Sequence, residues 1–264
     1  MKQIRTIIRK EWADVRRNKL VLYVVIFVPL LMTAIPIVML YVMGRTPVSQ
    51  GDMRELGRML SNPIFAGMDP TEAMQSVMAS NMLVLFLMMP LMVPVTISAY
   101  SIVGEKVSRS LEPLLATPIT TGQLLLAKGI AAALPGILMA WLSYGIFLVF
   151  ARFLAVSERV FEVFVNPMWL VAMFILGPLL TVAAVNFGII VSSRTSDPRA
   201  AEQLGSLIIL PLMVLFLGAI SGFIALSSVT FWLTAAIVGV LDVALVYFGV
   251  ALFQRETILT RWKG

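Results

Sequence analysis

Residues 20–43 read LVLYVVIFVPLLMTAIPIVMLYVM, with no charged side chain anywhere in the run. A hydrocarbon core of roughly 30 Å is crossed by a helix of about 20 apolar residues, so this stretch is long enough to span a bilayer. A basic segment precedes it, as in a secretory leader. The 24-residue run is nonetheless too long for a leader's apolar region, and no small-residue cleavage site follows it. We therefore read it as a retained span. Working outward, five further runs have the same character, at 82–103, 124–150, 167–192, 204–226 and 231–253. Only Ser227, Ser228, Val229 and Thr230 separate the last two.

Composition agrees with that reading. The 264 residues are 59% apolar and 13% charged, whereas soluble domains carry about 25% charged residues. In lipid the backbone must satisfy its own hydrogen bonds, and long unbroken apolar runs select helices over a closed barrel. The expected fold class is an all-α integral membrane protein, one membrane domain over 1–264 with six transmembrane helices. The chain has neither cysteine nor histidine, which removes disulfides, thiol and imidazole catalysis, and the commonest zinc and copper ligands. Its net charge of +6 lies beside the apolar runs and not in a separate basic domain. That distribution reports membrane topology and argues against a nucleic-acid partner.

Fifteen of the 20 Lys and Arg residues fall in the amino-terminal segment, the second and fourth connections with Lys128, and the tail; five fall in the first and third connections. Cytoplasmic segments retain positive charge, so both termini are expected in the cytoplasm. Within 1–19, Ile4, Ile7, Ile8, Trp12 and Val15 recur at helical spacing, with Lys and Arg on the other face. This predicts an amphipathic interfacial helix, apolar side in lipid. The connection 44–80 is the one long external loop, punctuated by Thr46-Pro47, Asn62-Pro63 and Asp69-Pro70.

The connection 104–123, continuing to 129, reads GEKVSRSLEPLLATPITTGQLLLAKG. Val107, Leu111, Leu114 and Leu115 share helical spacing, with Glu105, Lys106, Arg109 and Glu112 around them. This predicts a short amphipathic helix presented to a partner. Pro113 belongs at a helix start or kink, and Thr117-Pro118 ends the element. Thr120 and Gln123 have capping-box spacing for the third span.

This string resembles the coupling motif of type-2 ABC exporter permeases, which reads like EKE-x-G-T-LE-x-LL-x-TP-(I/V)-S followed by LLLGK. The matching positions are Glu105, Lys106, Leu111, Glu112, Leu114, Leu115, Thr117, Pro118, Leu124, Leu125, Leu126 and Lys128; Val107, and Ser108 and Ser110 around Arg109, depart from it. The resemblance implies an ATP-driven exporter permease that pairs with a second copy or paralogue. It further implies that 104–123 is a coupling helix docked on a separate cytoplasmic ATPase, which would carry the ATP and Mg. No G-x-x-x-x-G-K-[ST] phosphate loop occurs in the chain, so no nucleotide cofactor or hydrolytic activity is expected of this polypeptide.

Three polar residues within the predicted spans are candidates for an intramembrane site: Asp242, the one acidic residue deep inside a span, with Asn186 and Thr181. A carboxylate exposed to acyl chains costs at least about 2.5 to 3.5 kcal/mol, so Asp242 is expected to face protein or water. It would serve either an ion or cargo, or a hydrogen bond to an interior Ser, Thr or Asn. An ion- or proton-coupled carrier or channel using Asp242 is the alternative to the exporter, and a non-transporting scaffold is a third class. Gly218 and Gly222 form a G-x-x-x-G pair that permits close helix approach. Prolines at 29, 36, 90, 94, 135, 178 and 211 lie within the spans, where they kink helices.

Overall fold

Two helices meet at Asn18, whose side-chain oxygen accepts from the backbone N–H groups of Leu20 (3.1 Å) and Val21 (3.4 Å). This cap separates α1 (Lys2–Arg17) from α2 (Lys19–Met43) in a computed structural model that describes residues 2–46, 67–107, 120–221, 223–224 and 227–252. Every regular element among the described residues is helical. The chain continues through α3 (Pro70–Leu83), α4 (Met89–Val107), α5 (Thr121–Leu154), α6 (Glu158–Phe164), α7 (Pro167–Val171), α8 (Gly177–Arg194), α9 (Pro198–Gly205), α10 (Leu210–Ile220) and α11 (Ser228–Leu252). Six segments are long and apolar enough to cross a membrane, as the hydropathy runs predict. The protein is a multi-pass α-helical membrane protein.

Three of the seven span prolines lie just past a change in helix type. Pro90 follows a 3-10 turn at Val84–Met88, Pro178 follows a π-helical turn at Ala172–Leu176, and Pro211 follows a 3-10 turn at Ser206–Ile209. Proline has no N–H and its ring crowds the carbonyl four residues back, so the hydrogen-bond frame shifts by one residue before it. The Trp141 indole of α5 donates to the Met173 carbonyl inside the π turn at 2.9 Å. Pro29, Pro36, Pro94 and Pro135 lie inside regular helices.

The second span is the centre of the bundle: 89% of its apolar stretch is buried within the protein, against 17% for the fifth span and 22% for the sixth. Neighbouring helices reach it through glycine. A Cβ at Gly136 of α5 would lie 2.6 Å from the Pro94 ring, and one at Gly188 of α8 would lie 3.0 Å from Ser98. Gly218 instead faces Ile224 of its own connection, where a Cβ would lie 2.5 Å away; Gly222 lies outside the described residues.

Two expectations change. The long connection was expected to run to residue 80, but helix resumes at Pro70 and continues with the second span. Asp69-Pro70 is therefore a helix start, with proline in the first turn and the Glu72 carboxylate accepting from Asp69 N–H at 3.0 Å. Polar residues of α3 are buried in protein, Gln75 most of all, fully covered at the end of the bundle remote from α1. Its amide donates to the Leu40 (2.8 Å) and Leu154 (3.1 Å) carbonyls and accepts from Val156 N–H (2.9 Å), which ties the ends of α2 and α5 together.

The second change concerns α1. It is amphipathic as expected, and part of its apolar stripe packs against the start of α5, a protein contact that the expectation of a lipid-facing stripe did not include. Ile7 packs with Leu124 and Ala127, flanked by Ile4 and Ile8, and the Trp12 indole donates to the Ala131 carbonyl at 3.1 Å. Arg5, Arg9, Arg16 and Arg17 remain exposed on the other face.

Candidate functional site

Helices α4 and α5 are the two arms of the 104–123 connection, and they meet at its base. Thr120 caps α5: its hydroxyl accepts from Gln123 N–H (3.2 Å) and the Gln123 side chain accepts from Thr120 N–H (3.3 Å), the box that the spacing predicts. Two turns further on, Lys128 is 3% exposed and reaches across to both neighbouring helices. Its ammonium lies 2.7 Å from Glu11 of α1, 3.0 Å from Glu105 of α4 and 2.7 Å from the Ser101 hydroxyl.

The Glu11 and Glu105 side chains are 4% and 6% exposed. Lys10 donates to the other oxygen of Glu105 and lies 3.8 Å from Glu11 and 3.6 Å from Asp14. Burial disfavours the charged form of Glu11, but the Lys128 charge and hydrogen bond, with Ser101 and Lys10, outweigh it and hold its carboxyl below the usual range. Burial likewise works against charged Lys10, yet its bond to Glu105 and the surrounding carboxylates carry its ammonium above the usual lysine value.

The chemical content of this arrangement is a locked joint. Removing one member of a buried ion pair leaves an uncompensated charge, at a cost on the order of 3 to 5 kcal/mol. The helices entering and leaving the connection therefore cannot separate at its base without breaking the Lys128 contacts. α1 is bound into the same joint. Of the residues expected to form the coupling element, Glu105 is in this cluster. The backbone of Lys106 continues α4, and Arg109, Leu111, Glu112, Leu114, Leu115, Thr117 and Pro118 lie outside the described residues.

Glu11 and Lys10 were not among the expected site residues. The signal was present in the spacing: Glu11 falls on the stripe of Ile4, Ile7, Ile8, Trp12 and Val15. A carboxylate on an apolar face calls for a buried cation.

No hydrogen bond joins the three intramembrane polar residues to one another among the described residues. Thr181 is fully buried and its hydroxyl returns to the Gly177 carbonyl at 3.1 Å. The Asn186 amide donates to the Val182 carbonyl at 2.8 Å, beside a cavity of about 330 Å³ between α5, α8 and α11. Asp242 is 6% exposed on the face of α11 that carries Phe231, Ala235 and Val238, and neither carboxylate oxygen has a hydrogen-bond partner among the described residues. It faces protein, as the cost of lipid exposure requires. Of the two readings of Asp242, a hydrogen bond to an interior Ser, Thr or Asn is not formed among the described residues.

Among the described residues no group of three or more acidic side chains has the spacing of a metal site. A search of curated proteins returns no match to the chain. A family model described as ABC-2 family transporter protein matches residues 5–254, from the start of α1 through the end of the sixth span. That match covers nearly the whole chain and includes the clamped connection, and the chain belongs to the ABC-2 transporter family as a membrane permease.

Proposed function

We propose that this permease is the membrane half of an ATP-driven exporter, working with a second permease copy or paralogue in the cell membrane, both termini cytoplasmic. A separate ATPase, which would bind ATP and Mg, docks on residues 104–123. The observation that supports this most strongly is the Lys128 bridge to Glu11 and Glu105 at the base of that connection. A flexible base would absorb a displacement of the connection by splaying α4 from α5. The clamped base passes it to α4 at the centre of the bundle, to α5, and through Glu11 to α1.

The test uses the permease and its ATPase reconstituted in vesicles, with Glu105→Ala. Association should be retained, because the apolar residues of the connection carry it, while cargo-stimulated hydrolysis and flux fall together. Wild-type hydrolysis and flux would overturn the role of the joint. The ion-coupled alternative draws its support from the Asp242 carboxylate, which has no hydrogen-bond partner among the described residues. An ion-dependent flux abolished by Asp242→Asn, with no requirement for the ATPase, would favour it.

A further inference from the structure

Helix α4 is gripped on two sides near the end that carries the 104–123 connection. Glu105 meets Lys128 and α1 on one side. Thr96 lies nine residues before Glu105, which at 3.6 residues per turn places it on the opposite face. There its hydroxyl donates to the Glu202 carboxylate of α9 at 2.9 Å, and the Tyr100 hydroxyl bonds to the same group. α9 packs closely around that contact. Ala201 is fully buried in a cluster with Ala99 and Val103, and a Cβ at Gly205 would lie 2.8 Å from a methyl of Val95. Val95, Thr96, Ala99, Tyr100 and Val103 form one helical stripe, so α9 lies along a single face of α4. α9 is also the start of the fifth span, 198–220, which at 17% is the least buried of the six. The grip of α9 on α4 is therefore a main attachment of that span to the centre of the bundle.

We infer that Glu202 is a positioning residue for transport: its latch to Thr96 and Tyr100 makes α9 move with α4, and so passes a displacement of the 104–123 connection to the fifth span. The inference rests on the coupling reading above and adds the route by which the drive leaves α4. The Lys128 joint ties α4 to α5 and α1, and the latch ties the opposite face of α4 to the fifth span. Without the latch, α4 still follows the connection, but the fifth span is free to stay behind.

The test compares ATP hydrolysis with flux in vesicles holding the permease and its ATPase. Thr96→Val removes the donor at nearly constant volume. Association and hydrolysis should stay at wild-type levels while flux per ATP falls about tenfold, the population shift that loss of one hydrogen bond to a charged group brings. Thr96→Ser, which keeps the hydroxyl, should restore flux, and Glu202→Leu should uncouple as Thr96→Val does. The chain has no cysteine, so Val95→Cys with Gly205→Cys carries a single pair of thiols, at a separation that suits a disulfide. In the Thr96→Val background, oxidising this pair should restore flux and reducing it should abolish the gain, a rescue that ordinary packing does not predict. Unchanged flux in Thr96→Val or Glu202→Leu would overturn the inference. So would an oxidised pair that blocks flux in the otherwise wild-type permease, because α9 and α4 would then have to part during transport. Oxidation of the permease alone separates the two readings. If the disulfide does not form, the latch is wrong and the coupling reading stands; if it forms but no ATPase is recovered with the permease, the coupling reading falls, and with it the role of Glu202 in transport.

Discussion

Lys128→Met keeps the length and apolar stem of the side chain and removes one charge from the joint. The consequence follows from the geometry: Glu11 and Glu105, 2.7 and 3.0 Å from the missing ammonium, stay buried and lose their common partner. Lys10 remains, but its side chain is 43% exposed and it already contacts Glu105, Glu11 and Asp14. Stranding buried carboxylates in this way should destabilise the folded permease by on the order of 3 to 5 kcal/mol. Denaturant unfolding of the purified permease in detergent measures the loss. Adding Glu11→Gln removes one stranded charge, so the double variant should regain about 1 kcal/mol or more over Lys128→Met alone. A loss below about 1 kcal/mol for the single variant, the range of exposed ion pairs, would refute the argument that this cluster is a buried clamp.

Acid should release α1. The folded-state value of Glu11 lies below its ordinary 4.5, so its contribution is complete above that value and is lost as pH falls through the lower folded one. The raised Lys10 contributes below its ordinary 10.5 and loses its contribution only as pH rises through the higher folded value, so the joint should hold across the neutral range. Quenching of Trp12 fluorescence by aqueous iodide, with the other four tryptophans replaced by Phe, should stay flat at neutral pH and rise only below about pH 4.5. A neutral midpoint would contradict the assignment. At the other end of the bundle, Gln75→Leu removes the amide partner of the Leu154 carbonyl and the Val156 N–H, while the Leu40 carbonyl keeps the Gly44 N–H; unfolding should report a loss of about 1 to 3 kcal/mol, and no change would mean that water replaces the amide. Gly136→Ala, with its Cβ 2.6 Å from Pro94, should cost about 1 to 3 kcal/mol in the same assay, while Gly145→Ala, with nothing within 4 Å, should not destabilise.

What the sequence makes legible follows from the physics that dominates each element. The six spans can be read because lipid exposure forces long apolar runs, and the Thr120–Gln123 cap because it is a local exchange of hydrogen bonds. α3 is assigned to the external connection by sequence, outside the second span, because Gln75, Ser76, Ser80 and Asn81 lower its hydropathy. Those side chains are instead buried in the protein, a tertiary outcome that a sliding average cannot anticipate. The joint was half legible. Glu105 and Lys128 stand in the coupling motif, but pairing them with Glu11 requires α1 to fold back onto α5, and the same amphipathic stripe fits lipid equally well. Asp242 is recognisable as an intramembrane carboxylate, yet its lack of a hydrogen-bond partner among the described residues emerges only when α11 is packed against its neighbours.

The most direct test of the account is co-purification of the partner ATPase with the permease carrying Leu114→Ser and Leu115→Ser together. Both variants alter the predicted apolar face of the 104–123 connection and leave the Lys128 joint untouched. The account predicts that the ATPase is recovered with the wild-type permease and lost or sharply reduced with the double variant, while the permease itself remains folded. Recovery of the ATPase in wild-type amount would contradict the claim that this connection is where the permease receives its drive.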